Sequence, residues 1–288
     1  MATNSYARDV LLHPAGIARD KSGVLISVTR KEAKWSTINF SVRRLVEGQY
    51  WQGNTREEEA AFILLGGKVS LDWGEGPREI GGRENVFGGY PHAAYLPSRT
   101  SFEISATTTC EIADCRAPSS ERLQPRLITP ADCSEEIRGG GNCTRQIVNV
   151  IGPGFPAERL LICEVYTPSG NWSSYPPHKH DVHNPPGEVD LDETYYYRID
   201  KPEGYAFQRL YDATGTRDDT LKLADGDLVL IKDGYHPVVA AYGYNVYYLN
   251  VLAGSARSLA ASDDPRYAHL RKNLPDRDPR VPLVCPSP

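Results

Sequence analysis

Three of the seven histidines lie within six residues, at His178, His180 and His183 in the segment NWSSYPPHKHDVH. On an extended strand, side chains two residues apart project to the same face, so His178 and His180 lie side by side and Lys179 points away. Each neutral imidazole offers one lone pair, and adjacent imidazoles on one face suit a single metal ion. A solvated polar edge would produce the same pattern, so this pair alone leaves both interpretations open.

Two side chains further along the chain favour the metal. Glu193 heads the strand-like segment ETYYYRI, and His236 follows the glycine-containing turn of DGDLVLIKDGYHP. An H-x-H pair, a glutamate before a strand and a single later histidine resemble the ligand set of a cupin, a small β-barrel. Three neutral nitrogens and one carboxylate leave positions open on a six-coordinate ion, as catalysis requires. We therefore predict a metal site formed by His178, His180, Glu193 and His236.

The position of the glutamate departs from the usual cupin spacing. Twelve residues separate His180 from Glu193, whereas the cupin pattern has only a few, so Glu188 and Asp192 are rivals. We prefer Glu193 because it adjoins the YYYRI strand, while Glu188 lies in the Pro-Gly insertion. His183 lies in the same loop and is interpreted as a rim residue. Structural or surface roles are expected for the histidines without partners at metal spacing, which are His13, His92 and His269.

Many short strand-like segments recur along the chain, separated by turn residues. In the first half they span 23–28, 37–45, 61–65, 68–72, 93–96 and 101–105, and in the second 146–151, 160–166, 194–199, 205–211, 228–231 and 245–251. One short helix is expected at 264–273. The counts of 25 Gly, 22 Pro and 17 Tyr agree with strands and turns. This pattern of short strands and turns predicts a β-sandwich or β-barrel.

The two halves show a weak internal repeat. Each runs through a strand pair, a turn, a short apolar strand and two further strands, and Ser101 aligns with His236. We expect two similar β-domains, of which only the second kept a site. The predicted boundaries are 1–118 for a barrel without metal ligands, 119–144 for a Pro- and Gly-rich connection and 145–288 for the metal-binding barrel.

Composition excludes several classes of function. The 288 residues include 32 Lys and Arg and 37 Asp and Glu, which gives a net charge of −5. This negative charge argues against nucleic acid or an anionic membrane as a partner. The first 23 residues lack a long apolar core and no run of about eighteen apolar residues occurs, so we expect a cytoplasmic protein. The G-x-S-x-G motif is absent, so a hydrolase triad has no support. The GK[ST] and helix-opening G-x-G-x-x-G motifs are absent as well, and no organic cofactor is expected.

A more specific resemblance covers most of the chain and is clearest from 160 to 254. The run NWSSYPPHKHD, then ETYYYRI, FQRLYD, DGDLVLI, GYHPVVAA and YYLNVLAG, resembles the 5-deoxy-glucuronate isomerases of myo-inositol catabolism. That family consists of two-domain cupins similar to 5-keto-4-deoxyuronate isomerase. The resemblance implies an all-β fold of two tandem cupin (jelly-roll) barrels, a bicupin. IKDGYHP departs from the turn usual in the family, which affects only details of substrate contacts.

The resemblance also implies an activity, an aldose–ketose isomerisation of 5-deoxy-D-glucuronate to 5-dehydro-2-deoxy-D-gluconate. Such a reaction passes through an enediolate-like state, whose oxygen charge a divalent cation stabilises. We expect one divalent ion, zinc as the first choice with manganese or iron as alternatives. The expected partner is a small uronate, and a homo-oligomer stays open.

The acid or base and the substrate contacts are less well defined by the sequence. Tyr195 and Tyr197 share the face of Glu193, so they are candidate catalytic groups, although a role as core aromatics explains them equally well. Gln208 and Arg209 are candidate substrate contacts, one from either face of FQRLYD. A carboxylate substrate favours an arginine, but the sequence does not rank the candidates Arg145, Arg159, Arg198, Arg209 and Arg257.

Two other classes of function stay open on the residues alone. A cupin with three histidines and one glutamate could be an iron-dependent dioxygenase, which would consume oxygen, whereas an isomerase turns over anaerobically. A non-enzymatic sugar-binding cupin is the third class. Sensors of that kind usually carry a DNA-reading module, and the chain has neither a helix-turn-helix pattern nor a basic face.

Overall fold

A computed structural model describes residues 5–14 and 23–286. The prediction about the first 23 residues therefore falls partly outside the described residues, at 1–4 and 15–22. Helices in the described part are short: α1 (Ser5–Val10), α2 (Arg30–Ala33) and 3-10 turns at Val86–Gly88, Pro130–Asp132 and Ala268–Asn273. No described helix has the length and apolar character needed to cross a bilayer. Strands dominate, which confirms the all-β prediction.

The chain divides into two compact units, each assembled from separate segments. The C-terminal unit comprises Glu135–Asn149 and Ile162–Leu283, together with the described residues up to His13. The N-terminal unit comprises the described part of Pro14–Ser134, then Val150–Leu161 and the described residues from Val284 onward.

Two antiparallel sheets form the N-terminal unit. Its strands are β2 (Val24–Val28), β3 (Asn39–Leu45), β4 (Tyr50–Asn54), β5 (Glu58–Gly66), β6 (Lys68–Asp72), β7 (Arg78–Gly81), β8 (Ala93–Leu96), β9 (Ser101–Ala106), β10 (Cys110–Pro118) and β11 (Arg126–Ile128). The sheet orders are β11-β8-β5-β10-β3-β2 and β4-β9-β6-β7. Alternate residues of both sheets, such as Phe62, Leu64, Phe102 and Ile104, form one buried apolar cluster. Apolar side chains therefore occupy the core of this unit.

The C-terminal unit contains the sheet with the most strands among the described residues. Its strands are β1 (Leu11–Leu12), β12 (Ser134–Arg138), β13 (Arg145–Ile151), β14 (Leu161–Thr167), β15 (Trp172–Ser173), β16 (His178–Lys179), β17 (Leu191–Ile199), β18 (Ala206–Tyr211), β19 (Asp218–Leu223), β20 (Leu228–Ile231), β21 (Val238–Ala240), β22 (Val246–Gly254) and β23 (Ser262–Asp263). Seven strands follow the order β1-β20-β17-β22-β14-β13-β12, four the order β15-β21-β18-β19, and β16 pairs with β23.

Two predicted elements differ from the observed ones. The segment interpreted as a connection contains β11 and β12, and β12 joins the edge of the seven-stranded sheet. Most residues of β12 are exposed, so this edge strand carries no alternating hydrophobic pattern that the sequence could reveal. The expected helix at 264–273 is a 3-10 turn over its second half. The domain boundaries at 118 and 144 stay a prediction.

Candidate metal centre

Strand alternation in the C-terminal unit builds one cavity. Odd-numbered residues of β13, β14 and β17 and even-numbered residues of β22 line it, because side chains alternate along a strand and the four strands are neighbours in one sheet. The space inside it, including the part open to solvent, measures about 640 Å³. Polar side chains on its wall include Arg145, Ser174, His178, His180, Glu193, Tyr195, Tyr248 and Asn250.

His180 and Glu193 meet in this wall. Both are buried, and His180 Nε2 lies 3.0 Å from Glu193 Oε2. The other ring nitrogen, Nδ1, lies 3.0 Å from the Leu191 carbonyl oxygen, which can only accept a hydrogen bond. Nδ1 therefore carries the proton in the neutral ring, and the lone pair of Nε2 faces the carboxylate.

His236 completes a three-residue cluster on the other side of Glu193. Its Nδ1 donates to the Gly234 carbonyl oxygen at 3.0 Å, so its Nε2 also presents a lone pair, 3.3 Å from Glu193 Oε2. That Nε2 is buried and makes no hydrogen bond with any described residue. Two lone pairs and a carboxylate oxygen converge, and a single proton shared by His180 and Glu193 would leave His236 unsatisfied. A divalent cation satisfies all three groups, so the residues present fit a metal ion.

His178 lies beside this cluster. Its ring centroid is 4.9 Å from that of His236 and 6.3 Å from that of His180, and its side chain is half-buried. The ligand atoms of the other three residues lie within 4.8 Å of one another, a set that does not include His178. The structure thus brings three of the four predicted ligands within reach of one ion and places His178 beside them on the cavity wall.

The electrostatics of the cluster keep His178 and His236 neutral and favour a proton on His180. Burial, followed by the charge of neighbouring His180, lowers the pKa of His178 to about 3, and burial lowers that of His236 to about 3. Burial also opposes the charge on His180, but the charge of Glu193 and the hydrogen bond to it outweigh burial and raise the pKa of His180. Despite its own burial, the pKa of Glu193 is lowered by His180 and His236, so Glu193 stays ionised.

A group of hydroxyls lies next to the cluster. Ser174 Oγ lies 2.9 Å from the Tyr195 hydroxyl and 3.3 Å from that of Tyr248, whose hydroxyl also donates to Ser173 Oγ at 3.1 Å. The rings of Tyr195 and Tyr248 stack with centroids 4.3 Å apart. Burial, followed by the charge of Glu193, raises the pKa of Tyr195 well above 10, so this phenol keeps its proton at neutral pH.

The remaining predicted contacts lie away from the cavity wall. The Tyr197 hydroxyl donates to Gln208 Oε1 at 3.0 Å, and Gln208 Nε2 donates to the His236 carbonyl oxygen at 3.3 Å. Both residues are buried and brace the connection between β20 and β21, which carries His236. Arg209 points to the other face, where it makes two bonds to Asp218 and stacks over Tyr211. The structure does not bring Tyr197, Gln208 or Arg209 into the cavity.

The rivals of Glu193 lie elsewhere. Glu188 is buried, but its Oε1 accepts from Lys179 Nζ at 2.8 Å and from the amides of Asp181 and Val182, so it organises the insertion. Asp192 is on the opposite face of β17 by alternation. His183 hydrogen-bonds Ser255 at an exposed position, in agreement with a rim location. His13 pairs with Asp227 far along the chain.

Sequence reasoning overlooked three wall residues, Ser174, Tyr248 and Asn250. Once the register places Asn250 opposite Tyr195 and Tyr248 opposite Tyr197, alternation puts them on the face of Glu193. The signal was therefore present in the YYLN segment, but it required knowing that β22 pairs with β17, a contact between residues about fifty positions apart.

This fold and site define a cupin-type protein with a candidate His/Glu metal centre. Among solved structures, the chain is similar to oxalate decarboxylase from Lactobacillus farciminis, in a formate complex, with a TM-score of 0.63, 11% identity and coverage of 88% of each chain. At that identity the likeness concerns the fold alone.

Closer similarities define the family. Residues 11–270 match the KduI/IolB family, and the chain belongs to it. It is 42% identical over 248 residues to 5-deoxy-glucuronate isomerase of Geobacillus thermodenitrificans, covering 85% of this chain and 90% of that one. An IolB-like protein from Salmonella typhimurium LT2 is 32% identical with a TM-score of 0.87, covering 91% of this chain and 99% of that one. The family predicted from the motifs is confirmed.

Proposed function

We propose that this chain is a metal-dependent aldose–ketose isomerase that converts 5-deoxy-D-glucuronate to 5-dehydro-2-deoxy-D-gluconate in myo-inositol catabolism. Membership of the KduI/IolB family and the isomerase name of its relatives support the reaction class and the uronate substrate. The observation that carries the metal requirement is the convergence of two imidazole lone pairs on the buried Glu193 carboxylate, with His236 Nε2 left without a hydrogen bond.

His178, His180, Glu193 and His236 would hold the ion, with zinc as the first choice and manganese or iron as alternatives. When bound, a divalent cation polarises the substrate carbonyl and stabilises the negative charge of an enediolate. The carbonyls of Leu191 and Gly234 fix the ring orientation of His180 and His236 through Nδ1, so both Nε2 atoms are oriented to bind the ion.

Tyr195 is our candidate for a catalytic group. Its hydroxyl stays protonated and lines the cavity beside Glu193, so it can donate a hydrogen bond or a proton to a substrate oxygen, but it cannot serve as the base at neutral pH. Ser174 orients this hydroxyl. Tyr197 and Gln208 act indirectly, because Tyr197 hydrogen-bonds Gln208 and Gln208 hydrogen-bonds the backbone of His236.

Three further properties belong to this proposal. The N-terminal half carries no catalytic metal, which its apolar interior supports. The protein acts in the cytoplasm on a small molecule, without nucleic acid or membrane as a partner, which the net negative charge supports. No organic cofactor takes part.

The test is an anaerobic isomerisation assay on the metal-loaded protein. We expect conversion of 5-deoxy-D-glucuronate without oxygen, loss of activity after chelation and recovery on adding back one divalent metal. Tyr195→Phe should lower kcat by roughly 10²- to 10⁴-fold, as for other positioned acids, while metal content stays unchanged. Turnover that requires oxygen would instead favour a dioxygenase, and saturable uronate binding without turnover would favour a sugar-binding cupin.

A further inference from the structure

Arg145 is a buried guanidinium that forms no ion pair with any described residue. Its side chain is 4% exposed and lines the same cavity as the metal cluster. Nη1 donates to the carbonyl oxygens of Cys143 at 3.3 Å and Tyr175 at 3.0 Å. These are the hydrogen bonds of its side chain to the described residues, and no carboxylate is among the partners. A buried charge without an ionic partner is unfavourable, so the position calls for an explanation.

The neighbouring arginines are already neutralised. Arg138, also on the cavity wall, forms a fork with Glu136 through bonds of 2.6 and 2.8 Å. Arg271, which repels Arg145 electrostatically, pairs with Asp263 through Nε and Nη2. Burial is the main cause that lowers the pKa of Arg145; Tyr248 opposes it, and the charges of Arg138 and Arg271 lower the pKa further. An anion in the cavity would offset the free-energy cost of burying the Arg145 charge and would reduce its repulsion by the other two arginines.

The other arginines that the sequence left unranked lack this combination. Arg159, Arg198 and Arg209 pair with Glu158, Asp225 and Asp218 respectively. Arg257 does not line the cavity. Arg145 alone among the five joins burial, a place on the cavity wall and the lack of an acidic partner within the described chain.

We infer that Arg145 binds the carboxylate of the substrate and sets the preference of the site for uronates over neutral sugars. The inference rests on the proposed isomerase function and adds to it the residue that binds the carboxylate end of the substrate. A guanidinium presents paired N–H donors that match the two oxygens of a carboxylate. With Arg145 on one part of the wall and the His/Glu cluster on another, an open-chain uronate can place its carboxylate and its carbonyl on different protein groups.

The experiment compares two substrates, 5-deoxy-D-glucuronate and its C6 amide, in metal-loaded wild type, Arg145→Met and Arg145→Lys. We expect Arg145→Met to lower kcat/KM for the uronate by roughly 30- to 1000-fold, the range for losing one partner of a buried charged pair, and to change the amide reaction little. Arg145→Lys keeps the charge and loses the fork, so it should retain part of the preference. Metal content should stay at the wild-type level in both variants.

Arg198→Met is the matched control, because Arg198 lies on the outward face of the same sheet and pairs with Asp225. It should keep the wild-type ratio of uronate to amide turnover. A ratio that also stays at the wild-type value in Arg145→Met, or in Arg145→Lys if the Met variant does not fold, would overturn the inference.

A binding measurement separates this inference from the proposed function. Uronate should raise the melting temperature of the metal-loaded wild type, and the Arg145 variants should lose most of that shift. If the wild type binds uronate through Arg145 but does not isomerise it, the proposed reaction fails and the inference holds. If the wild type isomerises the uronate and the Arg145 variants bind it equally well, the inference fails and the proposed reaction holds.

Discussion

Two buried glutamates close together in the sequence have different surroundings, and these decide their roles. Glu193 faces Nε2 of His180 and of His236, and in the neutral rings both atoms offer lone pairs because each Nδ1 donates to a backbone carbonyl. Glu188 faces the Lys179 ammonium and backbone amides, all of which donate to it. A carboxylate surrounded by donors is already satisfied, whereas one surrounded by lone pairs calls for a cation.

Substitution of the two glutamates should separate these roles. Glu193→Gln removes the negative charge but keeps the shape, so metal affinity should fall by more than about 100-fold and most isomerase activity should be lost. Glu188→Gln keeps an oxygen that accepts from the same amides, so metal content should stay near wild type. Metal content of the purified variants, measured by mass spectrometry, checks this. If Glu188→Gln lost the metal and Glu193→Gln kept it, the assignment of the ligands would be wrong.

Metal affinity should depend on pH through one proton. The pKa of His180 is raised by Glu193, whereas His178 and His236 have pKa values of about 3 and hold no proton near neutral pH. Below its raised pKa, His180 carries a proton that a metal must displace. The affinity for the metal is therefore highest above this pKa and decreases as the pH falls below it.

The apparent Kd for the metal should therefore rise about tenfold for each pH unit below the pKa of His180, down to about pH 4. Competition with a chelator of known affinity, repeated at several pH values, measures this slope. A slope near three protons would mean that His178 and His236 also titrate there. A flat profile would argue against His180 as a ligand.

At the scale of elements, a short irregular connection carries a hydroxyl that contacts Tyr195, the candidate catalytic group. Ser174 follows β15 with φ = +51°, a left-handed conformation that costs a non-glycine residue about 1 kcal/mol or more. Its hydroxyl joins Tyr195 on β17 to Tyr248 on β22. A strained backbone at a residue whose hydroxyl contacts both tyrosine hydroxyls indicates that the connection is shaped for their alignment.

Replacing Ser174 with glycine should separate strain from function. Glycine adopts the left-handed conformation freely, so the relief of about 1 kcal/mol roughly offsets the lost hydrogen bonds and the melting temperature should change little. Activity should nevertheless fall about tenfold or more, because Tyr195 loses its orienting partner. Ser174→Ala keeps the strain and also loses the hydroxyl, so it should lower both quantities. Full activity in Ser174→Gly would exclude a role for this hydroxyl.

Elements with a strong local pattern could be predicted from the sequence, and the same patterns predict which of their side chains share a face. Alternation in ETYYYRI placed Glu193 and Tyr195 on one face, and the H-x-H pair placed two histidines together. Arg209 was a poor candidate because its position in FQRLYD says nothing about which face of β18 meets the cavity. Ranking Arg145 required its lack of an acidic partner, a property of tertiary contacts between residues far apart in the sequence. Edge strand β12 was missed because an exposed edge needs no apolar face.

At the scale of the whole molecule, the two units differ in what fills them. In the N-terminal unit, side chains from both sheets, such as Phe62 and Phe102, pack into one apolar cluster. In the C-terminal unit, the corresponding strand faces carry arginine, histidine, glutamate and tyrosine around a cavity. Among the described residues, the one group of His, Cys, Asp or Glu side chains suited to a metal lies in the C-terminal unit.

One bound ion per chain, protecting only the C-terminal unit, is therefore expected. A ligand that binds only the folded state stabilises it by about 2.7 kcal/mol at a free concentration of 100 times its Kd. Hydrogen exchange with and without metal should show slower exchange in β17, β20 and β22, which carry or flank Glu193, and unchanged exchange in β5 and β10 of the N-terminal unit. Metal analysis should give a stoichiometry near one, which Glu193→Gln abolishes. An ion coordinated by residues before Pro118, or protection that centres on β5 and β10, would contradict the assignment of a single metal centre to the C-terminal unit.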